Sequence, residues 1–329
     1  MNLKDIGEFG LIARIAERVS PQPGVEIGIG DDAAVIRPAD GFLTLITTDM
    51  LVEGVHFDLS LCDPVTLGRK SLSVNLSDIA AMGGKPRFFL LSMAIPPSFP
   101  VAFLDAFTKG MLERADEFGV GLIGGDTCSS KDGLVLSITV FGEQRPERII
   151  RRDGARPGDL IFVTGTLGDS ALGLEMLKQG ESCGFATERH LDPSPRVGEG
   201  LALATALLPT AMIDVSDGLA ADLGHILASS GVGARLHVQE IPLSRFFRTK
   251  CTPLTDEALA LALAGGEDYE LLFTVPPSRA DEVYPLIAGF GTEVTVIGEI
   301  TADSGLSLLS EEGREFTLAK KGFNHFRSS

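Results

Sequence analysis

The chain has 329 residues, 44% of them hydrophobic, with 38 glycines, which is enough for two globular domains with a core each. Its 45 acidic residues against 28 basic ones give a formal charge of −17, so its surface is expected to repel nucleic acid and anionic membrane. An anionic substrate would then need a metal ion or locally placed arginines.

In chain order, MNLKDIGEFGLIARIAERV sets Phe9, Ile12, Ile15, Ala16 and Val19 on one helical face and lacks a signal-peptide core. GIGDDAAV, residues 28–35, follows. Its first six residues fit the G-x-G-x-x-A turn of a dinucleotide fold, but a β-like run follows where a helix is required. Asp31 and Asp32 would also face the phosphates uncompensated, which leaves a metal site or a solvated acidic turn. Strands are predicted at AAVIRP and FLTLITTD, and a helix through TLGRKSLSVNLSDIAAMGG. FFLLSMAI reads as a strand, too short to cross a bilayer. The helix VAFLDAFTKGMLERADEFG and the strands GLIGGDT and LVLSITVFGE complete a first unit near residue 145.

RRDGARPGD, residues 151–159, reads as a connector. Beyond it come strand LIFVTG, a helix from Ser170, the helical PSPRVGEGLALATALL, strand AMIDVSDG, helix LAADLGHILASSG, and strands ELLFTV and EVTVIGEI. The alternation predicts a mixed α/β (α+β) class in two domains, 1–148 and 149–329. NLSDIAAMGG and DVSDGLAADLG each read as an S-D step opening a small-residue helix, either a faint duplication or two ordinary N-caps. The four cysteines, Cys62, Cys128, Cys183 and Cys251, have no C-x-x-C spacing. That predicts free thiols in a reducing compartment, the cytoplasm.

Acidic residues recur where apolar strands are expected to end: Asp49, Asp78, Asp126, Asp214 and Asp217. Hard oxygen ligands of this kind suit Mg²⁺, which binds through a few carboxylates, water and substrate phosphates. No G-x-x-x-x-G-K-[ST] occurs, so a phosphate-cradling P-loop is excluded. Gly165 and Gly168 in GTLGDSALG precede a helix and read either as an anion seat or as a tight turn and cap. Arg152 reads as a phosphate contact or a surface arginine, and His56 as a ligand contact or a satisfied histidine. Glu267 and Asp268 in GGEDYELLFTV read as site carboxylates or a polar turn. Phe323 in KKGFNHF reads as a terminal anchor in the core.

Taken together and in order, GEFGLIARI, GIGDDAAV, TTDMLVEGVHF, NLSDIAAMGG, LIGGDT, RDGARPGD, VTGTLGDSALGL, RHLDPSPR, IDVSDGLAADLGHI, GGEDYELLFTV and KGFNHF resemble the thiamine-monophosphate kinase family across nearly the whole chain. The resemblance implies ATP-dependent phosphorylation of thiamine monophosphate to thiamine diphosphate with several Mg²⁺ ions. It also implies the two-domain fold of the aminoimidazole-ribonucleotide synthetase superfamily, with N-terminal sheets pairing across a homodimer. Carried over by motif, metal ligands fall on Asp32, Thr47, Thr48, Asp49, Asp78, Asp126, Asp214 and Asp217. Nucleotide contacts fall on Gly125, Asp126, Arg152 and Ser216, and substrate contacts on His56, Glu267 and Phe323. No residue stands out as a general base. Two alternatives stay open: a selenophosphate synthetase-like enzyme of the same superfamily, and a non-catalytic metal- or nucleotide-binding regulator.

Overall fold

The computed structural model describes residues 25–27, 31, 34–36, 41–97, 99–181, 184–253, 255–310, 315–316 and 322. The expected N-terminal helix, Gly28, Gly30, Asp32, Cys183 and Phe323 lie outside the described residues. The first half comprises β1 (Val25–Ile27), β2 (Ala34–Ile36), β3 (Leu43–Val52), α1 (Pro64–Ala81), β4 (Lys85–Ile95), α2 (Val101–Phe118), β5 (Gly121–Ser129) and β6 (Val135–Gln144). Its six strands form one sheet in the order β1-β2-β3-β6-β4-β5, antiparallel except for the β4/β5 pair.

Alternation along β3 and β6 divides this sheet sharply. Leu45, Thr47 and Leu51 of β3 and Leu136, Ile138 and Val140 of β6 are buried. The opposite face carries Met50, 60% exposed, and Phe88, 44% exposed. Helix α1 starts at Asp63, whose Oδ1 accepts from Val65 N and Thr66 N, with Pro64 at the first helical position. It is buried almost all round, because sheet residues pack on one side and the second half of the chain on the other. Close approach to α2 is possible only through glycine: a Cβ on Gly68 would lie 2.0 Å from Phe107 O, and one on Gly110 2.0 Å from Val65 O.

The second half comprises β7 (Leu160–Thr164), α3 (Asp169–Lys178), α4 (Phe185–Leu191), α5 (Val197–Ala206), β8 (Ala211–Asp214), α6 (Leu219–Ser230), β9 (Gly233–His237), α7 (Arg245–Lys250), α8 (Asp256–Ala264), β10 (Leu271–Val275), α9 (Val283–Ala288), β11 (Val294–Thr301), β12 (Gly305–Leu309) and β13 (Glu315–Phe316). A seven-stranded sheet runs β13-β12-β9-β11-β7-β10-β8, with β9/β12 its parallel pair. Its central strands are covered on both faces, which explains their unbroken apolar runs. Ile161 and Val163 face a core with α3 and α6, while Phe162 and Phe273, stacked with centroids 5.4 Å apart, belong to a core shared with α1. No helix among the described residues is long and apolar enough to cross a membrane.

The S-D expectation fails in the first half. Ser77 and Asp78 lie near the C-terminal end of α1, whereas Ser216 and Asp217 precede α6. Asp78 is therefore a helix residue and not a strand terminus. The apolar stretch before it is helical because Asp63 caps the segment far upstream.

Candidate functional site

The site is built where α1 passes the middle of β3 and the end of β8, so Asp49, like Asp126 in β5, lies inside its strand and only Asp214 ends one. Asn75 Oδ1 accepts from Asp49 N at 3.0 Å. Thr47 Oγ1 donates to Asp78 Oδ2, and Ser77 Oγ donates to Asp214 Oδ2 at 2.6 Å. One helix thus ties together a strand from each sheet and sets Asp49, Asp78 and Asp214 in one neighbourhood. Tyr269, whose N–H donates to Val215 O beside Asp214, is within electrostatic reach of all three. Burial pushes its phenol far above the ordinary value, and the charges of Glu267, Asp49, Asp214 and Asp78 push in the same direction. Carboxylates and hydroxyls crowded this way are a hard-oxygen donor set, which fits Mg²⁺.

The pleat of β3 splits the expected metal ligands between two faces. Thr47 and Asp49 point toward α1, while Thr48 points the other way, its hydroxyl donating to Ile138 O at 3.1 Å and accepting from Thr139 Oγ1 at 3.0 Å. The row Met50–Ser137–Ser92–Asp126 puts the exposed Asp126 on that same outer face, where its Oδ1 accepts from Thr127 N at 2.9 Å. Gly125 beside it is a packing requirement: a Cβ there would lie 1.7 Å from Leu91 O.

Asp217 stands at the mouth of α6 with Asp222 and His225, the three presenting ligand atoms within 4.8 Å of one another. The buried Asp222 accepts from Asp217 N at 3.1 Å and Gly218 N at 3.0 Å, which fixes the turn containing Ser216. Gly322 packs against Asp217 O, leaving 2.9 Å for a Cβ. Arg152 is no surface arginine: its side chain is 17% exposed, and its Nε lies 3.5 Å from Asp31 Oδ1 of GIGDDAAV.

His56 sits in a tight turn after β3. Its Nδ1 accepts from Val52 N at 3.0 Å, so the neutral ring carries its proton on Nε2. Glu267 belongs to a segment of unusual backbone, with φ +61° at Glu267 and +52° at Tyr269. Glu267 N donates to Ser216 O at 2.7 Å and Tyr269 N to Val215 O at 2.9 Å, so GGEDY is clipped onto the VSD turn. Lys70 Nζ and His190 Nδ1 each lie 3.2 Å from Glu267 Oε2. Burial alone would raise this carboxyl, but Lys70, then His190 and His56, outweigh it and hold Glu267 below its ordinary value.

GTLGDSALG is a turn and cap. Gly168 N and Ser170 N donate to the side-chain oxygens of Asp268, at 2.8 and 3.3 Å, so the N-terminus of α3 is taken by the chain's own carboxyl group. A Cβ on Gly165 would lie 2.2 Å from Glu270 Oε1. That buried glutamate accepts a bidentate pair from Arg196 at 2.6 Å and a third bond from Arg189 at 2.6 Å, which anchors RHLDPSPR to the start of β10.

Lys70, Asn75, Ser77, Tyr269, His190, Asp222 and His225 are not singled out by sequence patterns. For Lys70 a signal existed: a lysine on the helical face that also carries Val74 and Ser77.

Residues 30–144 match the family model of the AIR synthase related protein N-terminal domain, and 156–310 that of its C-terminal domain. The thiamine-monophosphate kinase of Escherichia coli K12 is 41% identical over 328 residues, covering 97% of this chain and 98% of that one. That of Bacillus subtilis is 36% identical over 328 residues, covering 97% and 99%. A solved structure described as AaThiL complexed with AMPPCP and TMP superposes with a TM-score of 0.86 at 34% identity, covering 99% of both chains.

Proposed function

Since this chain belongs to the thiamine-monophosphate kinase family of AIR synthase related proteins, we propose that it transfers the terminal phosphoryl group of ATP to thiamine monophosphate, giving thiamine diphosphate. The observation that carries this reading is that α1 ties Asp49, Asp78 and Asp214 into one neighbourhood, onto which the segment of Glu267 and Tyr269 is clipped through Ser216 O and Val215 O. It gives a strongly acidic chain one place where metal ions can turn negative charge into an attraction for phosphates.

In this reading Asp32, Asp49, Asp78, Asp126, Asp214 and Asp217, with Thr47 and Thr48, hold several Mg²⁺ ions. Bound there, Mg²⁺ would neutralise charge on the transferring phosphoryl group. Gly125, Asp126, Arg152 and Ser216 bind the nucleotide. His56, Glu267 and Phe323 bind the substrate, with Gly322 placing the C-terminal segment beside the Asp217 turn. Thr47 and Ser77 orient Asp78 and Asp214 by hydrogen bonds. Tyr269 keeps its proton and so adds no further negative charge.

Transfer is direct and in line, without a phosphoenzyme, and no residue acts as general base. The second pKa of a phosphomonoester is ~6, so the attacking oxygen is already ionised at neutral pH. The free hydroxyl of thiamine would need to lose a proton, a step a positioned base typically speeds by about 10²–10⁴-fold. Thr48 and Asp126 lie on the outer face of the first sheet, the face a homodimer of the N-terminal halves would cover, and so bear on the site in the assembled pair. The division into domains 1–148 and 149–329, with one sheet in each, and a cytoplasmic location complete the proposal.

The test is ADP release by the purified protein with ATP and Mg²⁺, in the presence and absence of thiamine monophosphate. Release that requires thiamine monophosphate and stops in excess EDTA is expected. Release indifferent to thiamine monophosphate, or undiminished by EDTA, would contradict the proposal.

A further inference from the structure

Lys70 comes from the first half of the chain and Glu267 from the second. The lysine side chain is 5% exposed, and its described ion pair is the contact at 3.2 Å with Glu267 Oε2. His190 Nδ1 reaches the same oxygen at 3.2 Å while lying 3.0 Å from Ser170 Oγ. Both partners therefore use Oε2, and no described residue bonds Oε1.

We propose that Lys70 is a positioning residue for substrate: with His190 it fixes Glu267 through Oε2, so that Oε1 is the atom presented to the thiamine moiety. This rests on the kinase reading above and adds to it a residue that touches neither metal nor nucleotide.

Three observations support the assignment. First, a buried lysine paired to one carboxylate is a weak stabiliser, commonly matched or bettered by an apolar side chain of similar size, so stability gives little reason for it. Second, Glu267 stands in a left-handed conformation that non-glycine residues rarely adopt, clipped to the Ser216 carbonyl. Such backbone persists where surrounding contacts fix it and is concentrated at ligand sites. Third, Lys70 and Asp78 are eight residues apart on α1, about 12 Å at the helical rise. That helix thus meets the phosphate-side carboxylates at Asp78 and Glu267 about two turns earlier at Lys70, a span suited to thiamine monophosphate lying along it. A carboxylate held ionised suits the cationic, amine-bearing thiamine ring system.

The groups facing Glu267 are Lys70 from α1, His190 from α4, His56 from the turn after β3 and Tyr269 two residues on. Without Lys70 the largest opposing influence on the burial of this carboxyl disappears, and Glu267 takes up a proton at higher pH.

The test is a double-mutant cycle on the full chain, with KM for thiamine monophosphate, KM for ATP and kcat measured at pH 6 and pH 8 for wild type, Lys70→Met, Lys70→Arg, Glu267→Gln and Lys70→Met/Glu267→Gln. Lys70→Met should raise KM for thiamine monophosphate about 10-fold or more, the size of a lost charge-assisted contact, and more at pH 6 than at pH 8. KM for ATP and kcat should stay within about 3-fold, and Lys70→Arg should recover most of the loss. In the Glu267→Gln background the same change should add less than about 2-fold. Lys70→Gln replaces Lys70→Met in the cycle if the latter does not fold. An equal KM increase in both backgrounds, or parallel losses in ATP KM and kcat, would overturn the inference alone. A wild-type protein inactive on thiamine monophosphate would overturn the kinase reading and the inference with it.

Discussion

Burial lowers the pKa of His190 from 6.5 to about 3, and the charge of Lys70 adds to that. Below pH 6.5 the unfolded chain takes up a proton that the fold excludes, so the stability this group contributes above pH 6.5 is lost as pH falls toward 3. At ~1.4 kcal/mol per pH unit this is roughly 2 kcal/mol by pH 5. Asp268 has the opposite sign: burial raises it from 3.8 to about 7, against the Gly168 N–H and the Arg189 charge. Its contribution is complete below pH 3.8 and is lost as pH rises through about 7, so the two slopes oppose each other in mild acid. We therefore expect His190→Asn to shift the difference in unfolding free energy between pH 5 and pH 7 by roughly 2 kcal/mol in favour of pH 5. Urea titrations at the two pH values check it, and an unchanged difference would refute it. Asp49→Asn should act differently. Its neighbour Asn75 binds the Asp49 main chain and not the carboxylate, so the variant should fold normally and lose about 10²-fold or more in kcat. A kcat near wild type at saturating Mg²⁺ would remove Asp49 from the metal set. Asp214 is legible in the sequence because it ends an apolar strand, and Asp49 because it follows an apolar run, although the strand continues past it to Val52. Lys70, His190 and Tyr269 are not, since their meaning comes from groups on other elements, Glu267 for the first two and Asp49, Asp78 and Asp214 for the third.

Helix α1 is the element on which the site depends. Lys70, Asn75, Ser77 and Asp78 all project from it, toward partners in both halves of the chain. Arg69 extends the link by pairing with Glu117 of α2 and Asp192 beyond α4, each at 2.8 Å. Its seat on α2 depends on Gly68 and Gly110 meeting opposing backbone at 2.0 Å. Gly68→Ala and Gly110→Ala should each destabilise by about 1–3 kcal/mol. Because either one already forces the helices apart, the double variant should lose less than the sum. Thermal unfolding of the three variants measures this, and strict additivity would show that the two contacts do not share one crossing. The existence of α1 is legible from its composition and length. Its orientation is not, because a helix buried all round shows no amphipathic period. For the same reason Ser77-Asp78 resembles a helix start while sitting near a helix end. The strands of the second sheet read more easily, since burial on both faces leaves short apolar runs bounded by turns.

At the scale of the whole molecule, the outer face of the first sheet carries Met50 and Phe88, 60% and 44% exposed. In the sequence, pairing is only what the family resemblance implies. The structure supplies a physical reason for it, a partly apolar face of the kind that marks an interaction surface. Sedimentation at micromolar concentration should give a dimer, and Met50→Glu/Phe88→Glu should shift it toward monomer. A monomeric wild type would contradict pairing. The two-sheet plan and the order of the motifs are legible along the chain, whereas the division of the metal set by the pleat of β3 requires the register of the sheet. The central claim is that the acceptor is a phosphate already ionised, held near metal-binding carboxylates that need no base. The direct measurement is kcat/KM with ATP and Mg²⁺ for thiamine monophosphate and for thiamine, with the product identified. The account predicts thiamine diphosphate as product and a preference for the monophosphate of at least about 10²-fold. Comparable values for the two substrates would contradict it.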